Sequence, residues 1–236
     1  MKILTVILAR GGSKGIPKKN LSLIGNKPLV THIIETSLKV ANSYEMDVVV
    51  SSDSDEIIEV AKKTGAWVPF KRPSYLAEDD VESLPVVKHA VEQVENIKKF
   101  KYEIIVYAQP TSPLCRDVDF KSCINALIKN KDLESSVPIT EVSTHPFKMK
   151  KINPQGYLSN FIDQGFEDMR PRQKLPKVFR RAGSIYVSQR HVIMEKNTLL
   201  GNPCLGIEVP YETAIDIDNH LDLQLARILF NSKNHK

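Results

Sequence analysis

A chain of 236 residues with 42% hydrophobic and 26% charged residues has the balance of a soluble globule and enough apolar material for one α/β domain with an insertion. No segment approaches ~18 consecutive apolar residues, which argues against a membrane partner, and Cys115, Cys123 and Cys204 form neither a CxxC pair nor a zinc spacing, so a reduced, cytoplasmic setting is expected. The formal charge of +5 suits anionic partners of several kinds, and the placement of the cations matters more than their surplus.

The first apolar run, Ile3–Leu8, leads straight into Arg10-Gly11-Gly12 without a signal peptide's long apolar region or cleavage site, and reads as a buried strand. A helix is predicted over residues 28–40 with Pro28 in its first turn. A strand follows at 47–51, a helix at 55–64, a short strand at 66–68 and a helix at 83–97. A strand at 102–107, a helix at 117–129 and a strand at 135–139 continue the alternation. Val/Ile-rich strands joined by helices predict an α/β fold in three layers, a mostly parallel, Rossmann-like sheet covered on both faces. Loops at the strand C-termini then share one edge, where such folds bind ligands. Past Pro138 the alternation stops. Residues 145–182 read as an inserted arm with a turn at Asn153-Pro154-Gln155-Gly156 and a polar stretch holding Arg170, Arg172, Lys174, Lys177, Arg180 and Arg181, too poor in apolar residues to bury itself. Strands are expected again at 184–187 and 205–209, then a helix at 220–230 and a frayed tail at 231–236. No internal repeat divides the chain, so residues 1–236 are read as one domain.

The stretch from Leu8 to Asn20, LARGGSKGIPKKN, holds three glycines within five residues beside Arg10, Lys14, Lys18 and Lys19. Glycines such as Gly11 and Gly12 let the backbone turn tightly and aim N–H groups at a phosphate, and the cations neutralise it. The spacing is neither GxxxxGK[ST] nor GxGxxG, so it is not one of the two common phosphate fingerprints; a basic turn without a ligand is the other reading. Basic residues are not interleaved with aromatics in a stacking pattern, which speaks against a nucleic-acid partner. His32 and His89 lie in helical patterns and read as structural, and Trp67 and Phe70 as packing residues.

This loop resembles the signature loop of the N-acylneuraminate cytidylyltransferase family, the CMP-sialic acid synthetases. Four further blocks are similar to that family in the same order: Arg72-Pro73 with Leu76-Ala77 and Ser83; Gln109-Pro110-Thr111-Ser112-Pro113-Leu114; Pro171-Arg172-Gln173 with Leu175-Pro176; and Ile215-Asp216-Ile217-Asp218 with Leu221-Asp222-Leu223. The resemblance spans residues 3 to about 229. It implies transfer of CMP from CTP to an acidic nine-carbon sugar with release of pyrophosphate. By the same resemblance Arg10, Gly11, Gly12, Ser13 and Lys14 would hold the triphosphate, with Lys19 and Asn20 near the reacting phosphate and Arg10, Lys14 and Lys19 as catalytic cations. Arg72, Ser83 and Gln109 would face the cytidine, and Gln109, Lys148, Arg172 and Arg180 the acceptor sugar. The arm would serve dimerisation, lending Arg172 or Arg180 to the partner of a homodimer. Ala182-Gly183 stands where the family usually shows Asn-Gly, so legionaminic and pseudaminic acids stand beside sialic acid as acceptors. Other sugar nucleotidyltransferases of related fold, and a non-catalytic nucleotide- or RNA-binding protein, are the competing readings.

Such a reaction runs by positioning and charge stabilisation, which agrees with the absence of a Ser/His/Asp or Cys/His signature. The Ile-Asp-Ile-Asp alternation turns Asp216 and Asp218 to one face of a strand-like run. Two hard oxygen ligands completed by phosphate and water suit Mg²⁺; an acidic helix start is the alternative, since a helix follows at once. A bidentate arginine suits the sugar carboxylate, with Arg172 and Arg180 as candidates and Arg181 left as surface.

Overall fold

The computed structural model describes residues 1–234. It begins with β1 (Ile3–Leu8), a small hairpin of β2 (Leu23–Ile24) and β3 (Lys27–Pro28), α1 (Leu29–Ala41), β4 (Met46–Ser51), α2 (Asp55–Lys63) and α3 (Ser83–Lys98). There follow β5 (Ile104–Ala108), α4 (Asp117–Lys129) and β6 (Ser135–Glu141), then an arm hairpin of β7 (Lys150–Ile152) and β8 (Leu158–Asn160). The chain returns through β9 (Phe179–Arg181), β10 (Ile185–Gln189), the short helix α5 (Arg190–Met194), β11 (Cys204–Glu208) and α6 (His220–Asn234).

The main sheet has the order β11-β6-β10-β5-β1-β4, with β9 also paired to β6. β4, β1, β5, β6 and β11 run parallel, and β10 lies antiparallel between β5 and β6. Strand alternation sorts the core into two layers. Ile3, Ile7, Val48, Val50 and Val106 pack under α1, α2 and α4. Leu4, Val6, Val49 and Ile105 pack under α3 and α5. The expected three-layer, mostly parallel α/β sheet is therefore present. Its antiparallel member, β10, comes in from the arm and needs no helical crossover.

β9 and β10 are two parts of one bent strand. Arg181 pairs with Ile139, whereas Val187 pairs with Ser136, so extra residues are accommodated on the β9–β10 side. Gly183 sits in that bend at φ +82, where a Cβ would lie 2.8 Å from Asp216 Oδ2. Only glycine fits both the torsion and the space.

Four expectations need correction. The strand at 66–68 reduces to a single bridge between Trp67 and Val49, because Pro69 follows and cannot extend an edge ladder. Pro28 is the residue before α1, with ψ 146, not part of its first turn. The last helix continues to Asn234 rather than ending near 230; of the expected frayed tail, His235 and Lys236 lie outside the described residues. The arm is not short of apolar residues. It leaves Ile152, Tyr157, Leu158, Phe161, Phe166 and Met169 exposed. Among the described residues no helix is long and apolar enough to cross a membrane.

Candidate active site

The C-terminal ends of β1 and β5 open into a cavity of about 460 Å³. Its polar lining gathers Arg10, Ser13, Lys14, Lys19, Asn20, Arg72, Ser83, Gln109, Asp216 and Asp218. Ten side chains expected at a site, from segments up to 208 residues apart in sequence, thus share one chamber.

The basic loop after β1 is braced rather than open. Asn20 is buried and donates from Nδ2 to Arg10 O at 2.9 Å, closing the loop on itself. The Gly11 N–H goes to Asp53 Oδ1 at 3.0 Å, so it does not face a phosphate, and neither Gly11 nor Gly12 lines the cavity. Gly11 answers to close approach instead: a Cβ there would lie 2.9 Å from Ser54 Cβ. Arg10 donates from Nη1 to Glu78 O and pairs with Asp79 Oδ1, both at 3.0 Å, while Lys14 Nζ meets Asp79 Oδ2 at 3.1 Å. One carboxylate thus bridges the two foremost cations of the loop. Lys19 donates to Ile217 O at 2.6 Å and lies 3.5 Å from Asp218 Oδ1.

Arg72 is buried against the end of β4, with Nε donating to Ser51 Oγ at 3.1 Å and Nη2 to Ser51 O. Burial lowers its pKa to about 10, opposed by the nearby Asp53 charge, so the guanidinium stays charged at neutral pH. Tyr107, the penultimate residue of β5, joins two predicted residues: Gln109 Nε2 donates to its hydroxyl at 2.9 Å and Ser83 Oγ lies 3.0 Å away.

Asp216 and Asp218 lie in irregular chain, not on a strand, yet the expected alternation holds. Ile215 and Ile217 are buried in a cluster with Leu223 and Ala226 of α6, and the Ile217 N–H donates to Thr111 O at 2.9 Å. The carboxylates thereby reach the cavity. Asp216 Oδ1 is buried without a hydrogen-bond partner. Desolvation raises the Asp216 pKa and the Asp218 charge adds to it, while Thr111, Lys19 and Arg180 oppose the rise. The helix-start reading falls to other residues. Asp222 Oδ2 accepts from the N–H groups of Asp218 and Asn219, and Asn219 Oδ1 from those of Leu221 and Asp222. A buried, partnerless carboxylate oxygen beside a second carboxylate fits a hard cation. Among the described residues no third acidic, Cys or His side chain joins them, so phosphate and water would complete the shell.

Three expected acceptor residues lie outside this chamber. Lys148 is exposed in the arm. Arg172 pairs from Nη2 with Glu141 Oε1 at 3.0 Å and Val142 O at 2.8 Å, beside a separate cavity at the base of the arm. Arg180 donates to Ala214 O at 2.9 Å. His145 braces that base: its Nδ1 accepts from the Phe147 N–H and its Nε2 meets Pro176 O, both at 3.1 Å.

A second cavity of about 500 Å³ shares Ser83, Tyr107 and Gln109 with the first and adds Arg181, Tyr186 and Leu199. Arg181, expected as surface, therefore belongs to the site region. Tyr107, Tyr186 and Asp79 also escaped the sequence reading. An aromatic inside an apolar strand reads as core until its hydroxyl is seen to face a cavity. Cys115 is a bystander, its thiol held up at about 12 by burial.

Residues 4–201 match the family model described as Cytidylyltransferase. The chain is 32% identical over 237 residues to the pseudaminic acid cytidylyltransferase of Campylobacter jejuni, covering 100% of this chain and 99% of that one. It is 30% identical over 230 residues to the CMP-N,N'-diacetyllegionaminic acid synthase of Legionella pneumophila, covering 97% and 96%. A solved structure of CMP:2-keto-3-deoxy-manno-octonic acid synthetase complexed with CTP superposes with a TM-score of 0.68 at 21% identity, over 99% of this chain and 100% of that one. That likeness speaks for a common fold.

Proposed function

The chain belongs to the cytidylyltransferase family, and from that premise we propose that it transfers CMP from CTP to the anomeric hydroxyl of a nonulosonic acid, releasing pyrophosphate. The observation that carries this reading is the single chamber that joins four cations, Arg10, Lys14, Lys19 and Arg72, to the carboxylate pair Asp216 and Asp218. Arg10, Ser13 and Lys14 take the outer phosphates and stabilise the charge that grows on departing pyrophosphate. Lys19, fixed on Ile217 O, holds a positive charge where the transferred phosphorus reacts. Arg72 and the Ser83–Tyr107–Gln109 group form the cytidine side. Asp216 and Asp218 would hold Mg²⁺, which supplies charge neutralisation and orients phosphate oxygens when bound. Incubation with CTP, Mg²⁺ and a panel of nonulosonic acids should release pyrophosphate only when CTP and an acceptor are both present, with ATP, GTP and UTP as controls. No release with any nonulosonic acid would overturn the reading.

The Asp79 bridge has a kinetic consequence. CTP must displace its carboxylate from Arg10 and Lys14, so Asp79→Asn should lower the KM for CTP. Exposed ion pairs contribute roughly 0.2–1 kcal/mol, which corresponds to about 1.5- to 5-fold. Initial rates at varied CTP test this, and a KM that is unchanged or raised would remove Asp79 as a competitor.

The exposed apolar side of the arm, and the placement of Arg172 outside its own chain's chamber, support a homodimer in which the arm lends Lys148 and Arg172 to the partner's site. Arg172→Ala and Lys14→Ala chains, each inactive alone, should then regain about a quarter of wild-type activity after mixing, because half the dimers are hybrids with one intact site of two. No recovery after verified subunit exchange would exclude the sharing.

A further inference from the structure

We propose that Arg181 selects the acceptor: its guanidinium donates to the carbonyl oxygen of an acylamido group on the end of the sugar remote from the anomeric carbon, and it repels an acceptor that carries a free ammonium there. The inference rests on the nonulosonic-acid reading above.

Arg180 and Arg181 are neighbours on β9, so strand alternation turns them to opposite faces and to different tasks. Arg180 is occupied by Ala214 O, beside Asp216. Arg181 lies with its guanidinium 5.7 Å from the Tyr186 ring. Tyr186 in turn stacks on Tyr107, with centroids 5.5 Å apart and planes at 21°, and Tyr107 carries the bonds to Ser83 and Gln109. A continuous stack therefore runs from Arg181 to the residues at which the two cavities meet.

The first cavity has the cations and carboxylates a triphosphate and its metal need, which leaves the second for the acceptor. Reaction requires the anomeric carbon and its carboxylate at the Asp216 end. Asp216 lines the first cavity and Arg181 only the second, with Ser83, Tyr107 and Gln109 shared between them, which sets Arg181 towards the far end of a bound sugar. There the lining is Arg181, Asn197, Thr198, Leu199 and Leu200, with Glu82 exposed at the N-terminus of α3 as the only other charge. Among the described residues no side chain pairs with the Arg181 guanidinium. Five donors and no acceptor, set beside leucines and an aromatic face, suit a carbonyl that carries a small apolar group. They are unfavourable for an ammonium. The relative from Legionella pneumophila is named for a diacetylated sugar of this kind.

The test uses the full-length protein, with an N-acetylated nonulosonic acid and its de-N-acetylated amine as paired acceptors and pyrophosphate release as readout. Arg181→Ala should raise the KM for the acetylated acceptor about 10- to 100-fold, the worth of a hydrogen bond to a charged donor, and leave the KM for CTP unchanged. Its preference for the acetylated sugar over the amine should fall at least as far. Arg181→Lys, which keeps charge but not the planar fork, should still reject the amine. An unchanged acceptor KM in Arg181→Ala, or a CTP KM that rises in step, would overturn the inference and leave the parent reading intact. A wild-type protein inactive on every nonulosonic acid would overturn both.

Discussion

Asp216→Asn and Asp218→Asn should each turn over at least about 10²-fold more slowly and require more Mg²⁺, because an amide neither binds a hard cation well nor offsets the charge of the triphosphate. The same pair predicts an opposite effect on stability. Burial holds the Asp216 carboxyl above its ordinary 3.8, so its ionised form costs the empty protein stability. That cost is absent below the ordinary value, grows as pH rises through the raised one, and is complete at neutral pH. Asp216→Asn should therefore melt higher than wild type at pH 7 without divalent ions, and the difference should vanish towards pH 3. Pyrophosphate release titrated with Mg²⁺, beside melts at the two pH values, reads both effects. An unchanged Mg²⁺ requirement in both variants would end the ligand assignment.

Arg10→Ala should lower turnover about 10²- to 10³-fold, the usual loss for a donor aimed at transition-state charge, with the melting temperature nearly unchanged. Arg10 is partly exposed, and its partners are the Glu78 carbonyl and the Asp79 carboxylate, contacts at the surface that contribute about 1 kcal/mol or less. A variant that melts like wild type and keeps near wild-type turnover would show that the loop does not serve the reaction. Lys14→Ala should follow the same direction, since it shares Asp79 with Arg10.

Much of the core was legible because its local and tertiary preferences agree. The strand at Ile3–Leu8 and the helix at Asp117–Lys129 have the bounds that hydrophobic periodicity predicts, since each buries the residues its own period selects. What was not legible depends on partners distant in sequence. Nothing local says that β10 enters antiparallel between β5 and β6. The uncovered apolar residues of the arm follow no single period and were lost among its arginines. In the site, composition exposed the basic loop, but not that Gly11 spends its N–H on Asp53 or that Asp79 bridges two cations. Alternation along β9 turns Arg180 and Arg181 to opposite faces, but only the tertiary fold puts Ala214 before one and Tyr186 before the other.

The basic loop and the acidic segment, about 200 residues apart in sequence, are mechanically one part. A Cβ on Gly15 would come within 2.4 Å of Asp218 O, and α6 clamps Ile215 and Ile217 against Ile16, Ile24 and Leu29 through Leu223 and Ala226. A chain emerging from the ribosome can therefore complete its sheet while the basic loop still lacks a backing wall. That wall forms only when α6 docks through Leu223 and Ala226, so the cavity between the loop and the acidic segment is completed after the sheet that carries it.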